Sequence, residues 1–354
     1  MNFSSDNGAG VAPEIIAAIA QSSRGVAPAY GADDYCRRAE AALQALFECD
    51  LRAFFIGTGT AANGLALGAL ARPWEAIFCH EEAHIQDDEC GAPELFTAGA
   101  KLVGVPGIGG KITPTALAQT LTRFPRGIVR AVQPGALSLS QVTEAGTLYT
   151  CAEIAALAQI GHSAGLGVHM DGARFANAIV ALGVSPADMT WRVGVDALCL
   201  GATKNGALAC EAVVFFDLEK AAQFAFARKR GGHTLSKGRF LGAQMEAWLA
   251  DDLWRRLARA ANAAAAGLAQ GLGAIAGVRL PWPVEANELF PILPERAAAA
   301  LADAGAKFYP WSSRAIAPDD APRAGETWIR LVCSHDTGQG EVEQFLDIAR
   351  RHCS

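Results

Sequence analysis

From about residue 50 onward the chain alternates short apolar runs with helix-like segments, and no other pattern in it restricts the fold as much. The runs cover residues 53–56, 76–79, 102–105, 128–132, 167–170, 197–200 and 212–216, and they end in glycine or polar side chains. Helical candidates lie between them at 61–71, 114–121, 152–164 and 174–182. A strand that is apolar throughout needs cover on both faces, and helix-length crossovers supply that cover while returning the chain in the same direction. The pattern therefore predicts an α/β fold with a parallel or mostly parallel sheet of seven strands.

After about residue 250 the texture changes. An alanine-rich helix is expected at 254–272, short strands at 288–293 and 328–332, and a final helix from about 341. We read residues 1–250 as an N-terminal segment with a large α/β domain, and 251–354 as a small α+β domain. Two stretches without charge, 53–71 and 260–278, have the length of a membrane span, but interior glycines and polar side chains disqualify both. A net charge of −6 argues against a nucleic-acid surface. Nine cysteines with no Cys-x-x-Cys spacing indicate neither a disulfide framework nor a zinc ribbon, and reduced thiols in the cytoplasm fit best.

In a sheet of this kind ligands bind at the carboxyl ends of the strands. Four segments sit there. Gly57-Thr58-Gly59-Thr60 opens a helix, where backbone N–H groups and hydroxyls suit a phosphate; the competing reading is a capped tight turn. His80-Glu81-Glu82-Ala83-His84 matches His-Glu-x-x-His, which on a helix would make a zinc hydrolase of His80, Glu81 and His84. The segment follows a strand-like run and continues into acidic residues, so we discount zinc and expect no metal. Asp171 and Arg174 follow the run 166–170, presenting a carboxylate and a guanidinium together. Lys204 follows the run 197–200, where an apolar setting favours the neutral amine that a Schiff base requires. A phosphate-ready turn, a histidine, an Asp-Arg pair and a lysine are together the set that pyridoxal phosphate needs.

In the order of these motifs the sequence resembles the low-specificity L-threonine aldolases, fold-type I pyridoxal-phosphate enzymes of the β-eliminating lyase group, over nearly its whole length. Ser5-Asp6, Tyr30-Gly31, Thr58-Gly59-Thr60 with Asn63, His84, the block His169 to Arg174, Lys204 and Arg330 carry the likeness. The resemblance implies a fold-type I sheet with a smaller C-terminal domain. It also implies retro-aldol cleavage of threonine, allo-threonine and related β-hydroxy-α-amino acids, phenylserine included, to glycine and an aldehyde. Lys204 would be the Schiff-base lysine, Asp171 the partner of the pyridine nitrogen, and Arg174 the support of the phenolic oxygen. Thr58, Gly59 and Thr60 would hold the phosphate. His84 would stack on the ring and serve as proton relay, and Ser5, Tyr30 and Arg330 would meet the substrate.

Two departures stand out. The family's Glu-Asn-Thr-His stretch reads here as Ser140-Gln141-Val142-Thr143, which offers no imidazole and leaves His84 or a water as the expected base. The glycine-rich stretch that carries a phosphate-binding arginine reads Gly231-Gly232-His233-Thr234-Leu235-Ser236-Lys237, with Lys237 in that role. On family grounds the assembly is a homotetramer, a dimer of dimers, in which Tyr30 and Lys237 reach a neighbour's cofactor. The alternatives keep the cofactor and change the bond, as in a β-eliminating lyase or an aminotransferase.

Overall fold

The computed structural model describes residues 1–314 and 316–353. Seven strands form the main sheet: β1 Arg52–Ile56, β2 Glu75–His80, β3 Lys101–Val105, β4 Gln133–Ser140, β5 Gly167–Gly172, β6 Ala197–Gly201 and β7 Glu211–Phe215. Their spatial order is β1-β7-β6-β5-β4-β2-β3, and β7 alone runs against the others. The expected fold is therefore present, with six parallel strands and one reversed.

Period-two alternation explains the unbroken apolar runs. Leu198 and Leu200 of β6 face a cluster with Phe47, Leu157, Phe175 and Trp248. Ala197 and Cys199 face the other side, against Ala62, Leu65 and Phe224. The helix Gly59–Leu70 lies close to its neighbours because its glycines leave room: a Cβ on Gly68 would come within 2.9 Å of the Phe96 carbonyl oxygen.

One strand differs from expectation. Residues 128–132 form an exposed turn, with Val129 fully in solvent, and the strand begins at Gln133. Pro134 and Gly135 read as a turn in sequence, but they lie at a register shift opposite Ala76 and Ile77, where a residue without an N–H can sit inside a sheet.

A second, antiparallel sheet comprises β8 Glu288–Leu289, β9 Ile292–Pro294, β10 Tyr309–Pro310 and β11 Glu326–Val332, all paired to β11. The expected strand at 288–293 is thus two strands broken at Phe290-Pro291. The helix Leu253–Gly273 serves both cores: Trp254 and Ala258 pack in the large one, and Leu268 and Leu272 in the small one. The chain's first residues also belong to the small core. Phe3 packs edge-on against Phe345 at 5.2 Å and accepts a backbone hydrogen bond from Val332. Among the described residues no helix is long and apolar enough to cross a membrane.

Candidate active site

The carboxyl ends of β1, β2, β4, β5 and β6, with the start of the reversed β7, converge on one cleft of about 290 Å³. Thr58, Gly59, Thr60, His84, Asp171, Arg174 and Lys204 all line it. Thr58 is extended backbone before the helix Gly59–Leu70, and its Oγ1 accepts from the Ala61 N–H, so one end of the helix is capped from within the cleft. The remaining first-turn N–H groups and the positive helix end suit an anion.

Asp171 is buried at the end of β5. Its Oδ2 accepts from Asn63 Nδ2 at 2.8 Å and its Oδ1 from the Ala173 N–H at 3.0 Å. Burial opposes its ionisation, but His84, His169, the Ala173 N–H and Lys204 outweigh burial and hold the carboxyl below its usual range. Asn63 also donates to Glu89 Oε1 at 2.8 Å, and Glu89 in turn lies 2.9 Å from His84 Nδ1. The bond to Glu89 raises the His84 imidazole toward its charged form, and burial raises the Glu89 carboxyl. His169 is buried between Ser138 and Cys199, and burial lowers it to about 4; it is a neutral part of the wall behind Asp171.

Lys204 stands in a single helical turn, Thr203–Asn205, after β6. Its amine has no hydrogen-bond or ion-pair partner among the described residues. Beside it Glu211 accepts from Thr203 Oγ1, and burial pushes its carboxyl up to about 7. Arg174 is anchored by Asp6 at 2.7 and 2.9 Å and by Glu288 at 3.0 Å, which joins the N-terminal segment, β5 and β8.

Four expected residues lie off the cleft lining. Ser5 Oγ accepts from the N–H of Asn7, and it is Asn7 that lines the cleft. Arg330 sits on β11 near the rings of Tyr309 and Trp311 and near Glu288, with Nε buried and without a hydrogen-bond partner among the described residues. Tyr30 is exposed with a left-handed backbone (φ 63°), and its N–H donates to the Ser236 carbonyl, beside the exposed Lys237. Tyr30 lines a different cavity, with Arg228 and Leu235.

The zinc arrangement is not formed. His80 ends β2, a turn follows, and His84 begins a new short helix, so the two imidazoles do not share a helix face. Among the described residues no group of three or more His, Cys, Asp or Glu side chains is placed to hold a metal ion.

Sequence reasoning missed Glu89, Glu144 and Glu211. Glu89 sits in an acidic run that reads as solvated, and Glu144 adjoins the departure at Thr143, which was the available signal. Thr143 itself is fully buried, its hydroxyl held by the Gly109 carbonyl at 3.2 Å and Thr147 Oγ1 at 2.8 Å. A buried ionised carboxylate, an unpartnered lysine amine and a free helix N-terminus in one cleft fit a phosphorylated pyridine aldehyde.

Comparison with known proteins agrees. The beta-eliminating lyase family matches residues 2–294. A low specificity L-threonine aldolase of Pseudomonas aeruginosa is 41% identical over 348 residues, covering 98% of this chain and 96% of its own. A second, from a Pseudomonas species, is 39% identical over 343 residues, 97% of this chain and 95% of its own. The threonine aldolase of Leishmania major has a TM-score of 0.91 at 30% identity, covering 99% of this chain and 98% of its own. Serine palmitoyltransferase of Sphingomonas wittichii shares the fold, with a TM-score of 0.68 at 17% identity over 99% of this chain and 86% of its own. By these matches the chain belongs to the beta-eliminating lyase family, a group of pyridoxal-phosphate enzymes, and within it to the threonine aldolase branch.

Proposed function

We propose that this chain cleaves L-threonine, L-allo-threonine and related β-hydroxy-α-amino acids to glycine and an aldehyde, with pyridoxal phosphate as cofactor. The observation that carries this reading is the meeting of ionised Asp171, the free Lys204 amine and the N-terminus of Gly59–Leu70 in one cleft. When bound, the cofactor supplies an electron sink for charge developing on the substrate's α-carbon.

Each residue then has a task. Asp171, its carboxyl held below the usual range, would pair as an anion with the protonated pyridine nitrogen. Lys204 is the covalent attachment point, which Glu211 and Thr203 border. Thr58, Gly59 and Thr60 would hold the phosphate, and the His84 ring, its Nδ1 tied to Glu89, would stack on the cofactor. Arg174, fixed by two carboxylates, supports the phenolic oxygen. Arg330, with Ser5 ordering the segment beside it, clamps the substrate carboxylate, and that clamp sets the Cα–Cβ bond in the reactive orientation.

The same reading places Tyr30 and Lys237 together on a surface away from their own cleft, to serve a neighbour's site in a homotetramer. Nine free cysteines suit the cytoplasm. Light scattering tests the assembly: an active monomer would refute it.

The test of function is to mix the purified, cofactor-loaded protein with L-threonine, L-allo-threonine and phenylserine, and to follow aldehyde release by a coupled reductase. Stoichiometric glycine and aldehyde are expected. Pyruvate from serine, with no aldehyde from any of the three, would move the chain to the elimination reaction instead.

A further inference from the structure

The roles above leave the β-hydroxyl proton without an acceptor. His84 is a poor one, because its bond to Glu89 already keeps it toward the charged form. Thr143 has its hydroxyl committed to Gly109 and Thr147. The next residue, Glu144, lines the cleft and has no task in the scheme so far.

Its turn is built to be rigid. The Thr143 N–H donates to the Thr147 carbonyl at 3.0 Å, the hydroxyl of Thr147 reaches the Gly109 carbonyl at 2.6 Å, and Ala145 is buried among Trp282, Phe290 and Trp328. The carboxylate is held by one oxygen only: Oε1 accepts from Ser140 Oγ at 2.6 Å and from the His84 N–H at 2.8 Å. Oε2 is buried and has no partner among the described residues. The charged and titratable groups around it are Cys79 of β2, His84 and Glu89 after β2, Tyr149 after β4, and Asp171 at the end of β5, with Arg174, Lys204 and Glu211 lining the same cleft. Burial above all, with Asp171 adding to it, raises the Glu144 carboxyl to about 7 against the donors of Ser140, the His84 N–H and its own N–H. A base with that proton affinity is matched to work near neutrality.

We infer that Glu144 is the proton acceptor for the substrate's β-hydroxyl, receiving the proton on Oε2 as the carbon–carbon bond breaks. The O–H pair becomes the second bond of the aldehyde carbonyl, the Cα–Cβ pair stays with the glycine carbon, and that carbon takes up one proton to close the balance. The inference rests on the aldolase reading.

Glu144→Gln tests it, since an amide oxygen still accepts from Ser140 and from the His84 N–H while basicity is lost. Two reactions are compared in the cofactor-loaded enzyme: threonine cleavage, and exchange of glycine α-hydrogens with deuterated water, which involves no β-hydroxyl. Cleavage is expected to fall roughly 10²–10⁴-fold, while exchange stays within about threefold. The rise of kcat/KM with pH through about 7 is expected in the native enzyme and lost in the variant. Glu144→Asp keeps a carboxylate and is expected to keep that rise at a lower rate. Equal losses in cleavage and exchange, or a rise that survives in the Gln variant, would overturn the assignment. A native enzyme that releases no aldehyde would instead sink the aldolase reading itself.

Discussion

Replacing Arg174 by leucine tests how the site is held together. Its guanidinium contacts Asp6 at 2.7 and 2.9 Å and Glu288 at 3.0 Å. The carboxylate side chains are 1% and 2% exposed, so water cannot take over when the cation goes. Removing one partner of a buried ion pair costs about 3–5 kcal/mol, and here the upper half of that range is expected because two carboxylates lose the same cation. Asp6 keeps one side-chain donor, Asn287 Nδ2 at 3.0 Å, whereas Glu288 Oε2, ion-paired to the guanidinium, has no hydrogen-bond donor among the described residues. The sign with pH follows from the two carboxyls. Burial disfavours the Asp6 anion, but Arg174 and Lys204 outweigh burial and hold its carboxyl below 3.8. Its stabilisation is therefore present above that value and is lost as pH falls through the folded-state pKa. Glu288 lies above 4.5, because burial outweighs Arg174. Without the cation both carboxyls rise, the folded variant binds protons more tightly than the unfolded chain, and its stability falls as pH increases toward neutrality. Urea unfolding followed by tryptophan fluorescence, at about pH 5 and about pH 8 with equal cofactor saturation, should show the larger loss at the higher pH. A loss below about 1 kcal/mol, or the same loss at both pH values, would refute a buried, charge-bearing cluster. Adding Asp6→Asn to Arg174→Leu should cost less than the sum of the single changes, as expected for groups that share a contact.

Lys204→Ala should abolish turnover and the visible absorbance of the bound cofactor together, and borohydride labelling followed by peptide mapping should no longer mark this segment; full turnover would reject Lys204 as the attachment point. Arg330→Ala should raise KM for threonine well beyond any change in kcat, the signature of lost uniform binding, and an unchanged KM would remove it from the carboxylate clamp. Gly201→Ala places a Cβ 2.6 Å from the Ala173 carbonyl oxygen and 2.7 Å from Ala173 Cα, backbone that cannot swing aside. The change should cost about 1–3 kcal/mol and weaken cofactor binding by displacing the Asp171–Arg174 turn, whereas unchanged urea midpoint and cofactor affinity would show that β5 and β6 have slack at the site.

The parts of this fold that could be read from sequence are those where one residue's burial matches its chemistry. The runs at 76–79 and 197–200 are apolar because both faces of their strands are covered, and the polar residues that follow them mark the cleft. Strand β4 was hidden for the opposite reason. Ser138 and Ser140 interrupt its apolar pattern because they bond His169 and Glu144, so the polar work of the site disguises the strand that performs it. The same reasoning explains the carboxylates that sequence reasoning passed over. Glu89 follows the short helix after β2, Glu144 the turn after β4, and Glu211 opens β7; apart from the departure at Thr143 beside Glu144, nothing next to them in the chain distinguishes them from solvated acids. What sets each apart is a hydrogen-bond partner supplied by the fold: Asn63 of the helix Gly59–Leu70 for Glu89, the His84 N–H for Glu144, and Thr203 across the turn before β7 for Glu211. A carboxyl near 7 at Glu144 and at Glu211 follows from that burial and not from local sequence, so proton-transfer capacity in this cleft is a property of the parallel sheet that assembles it.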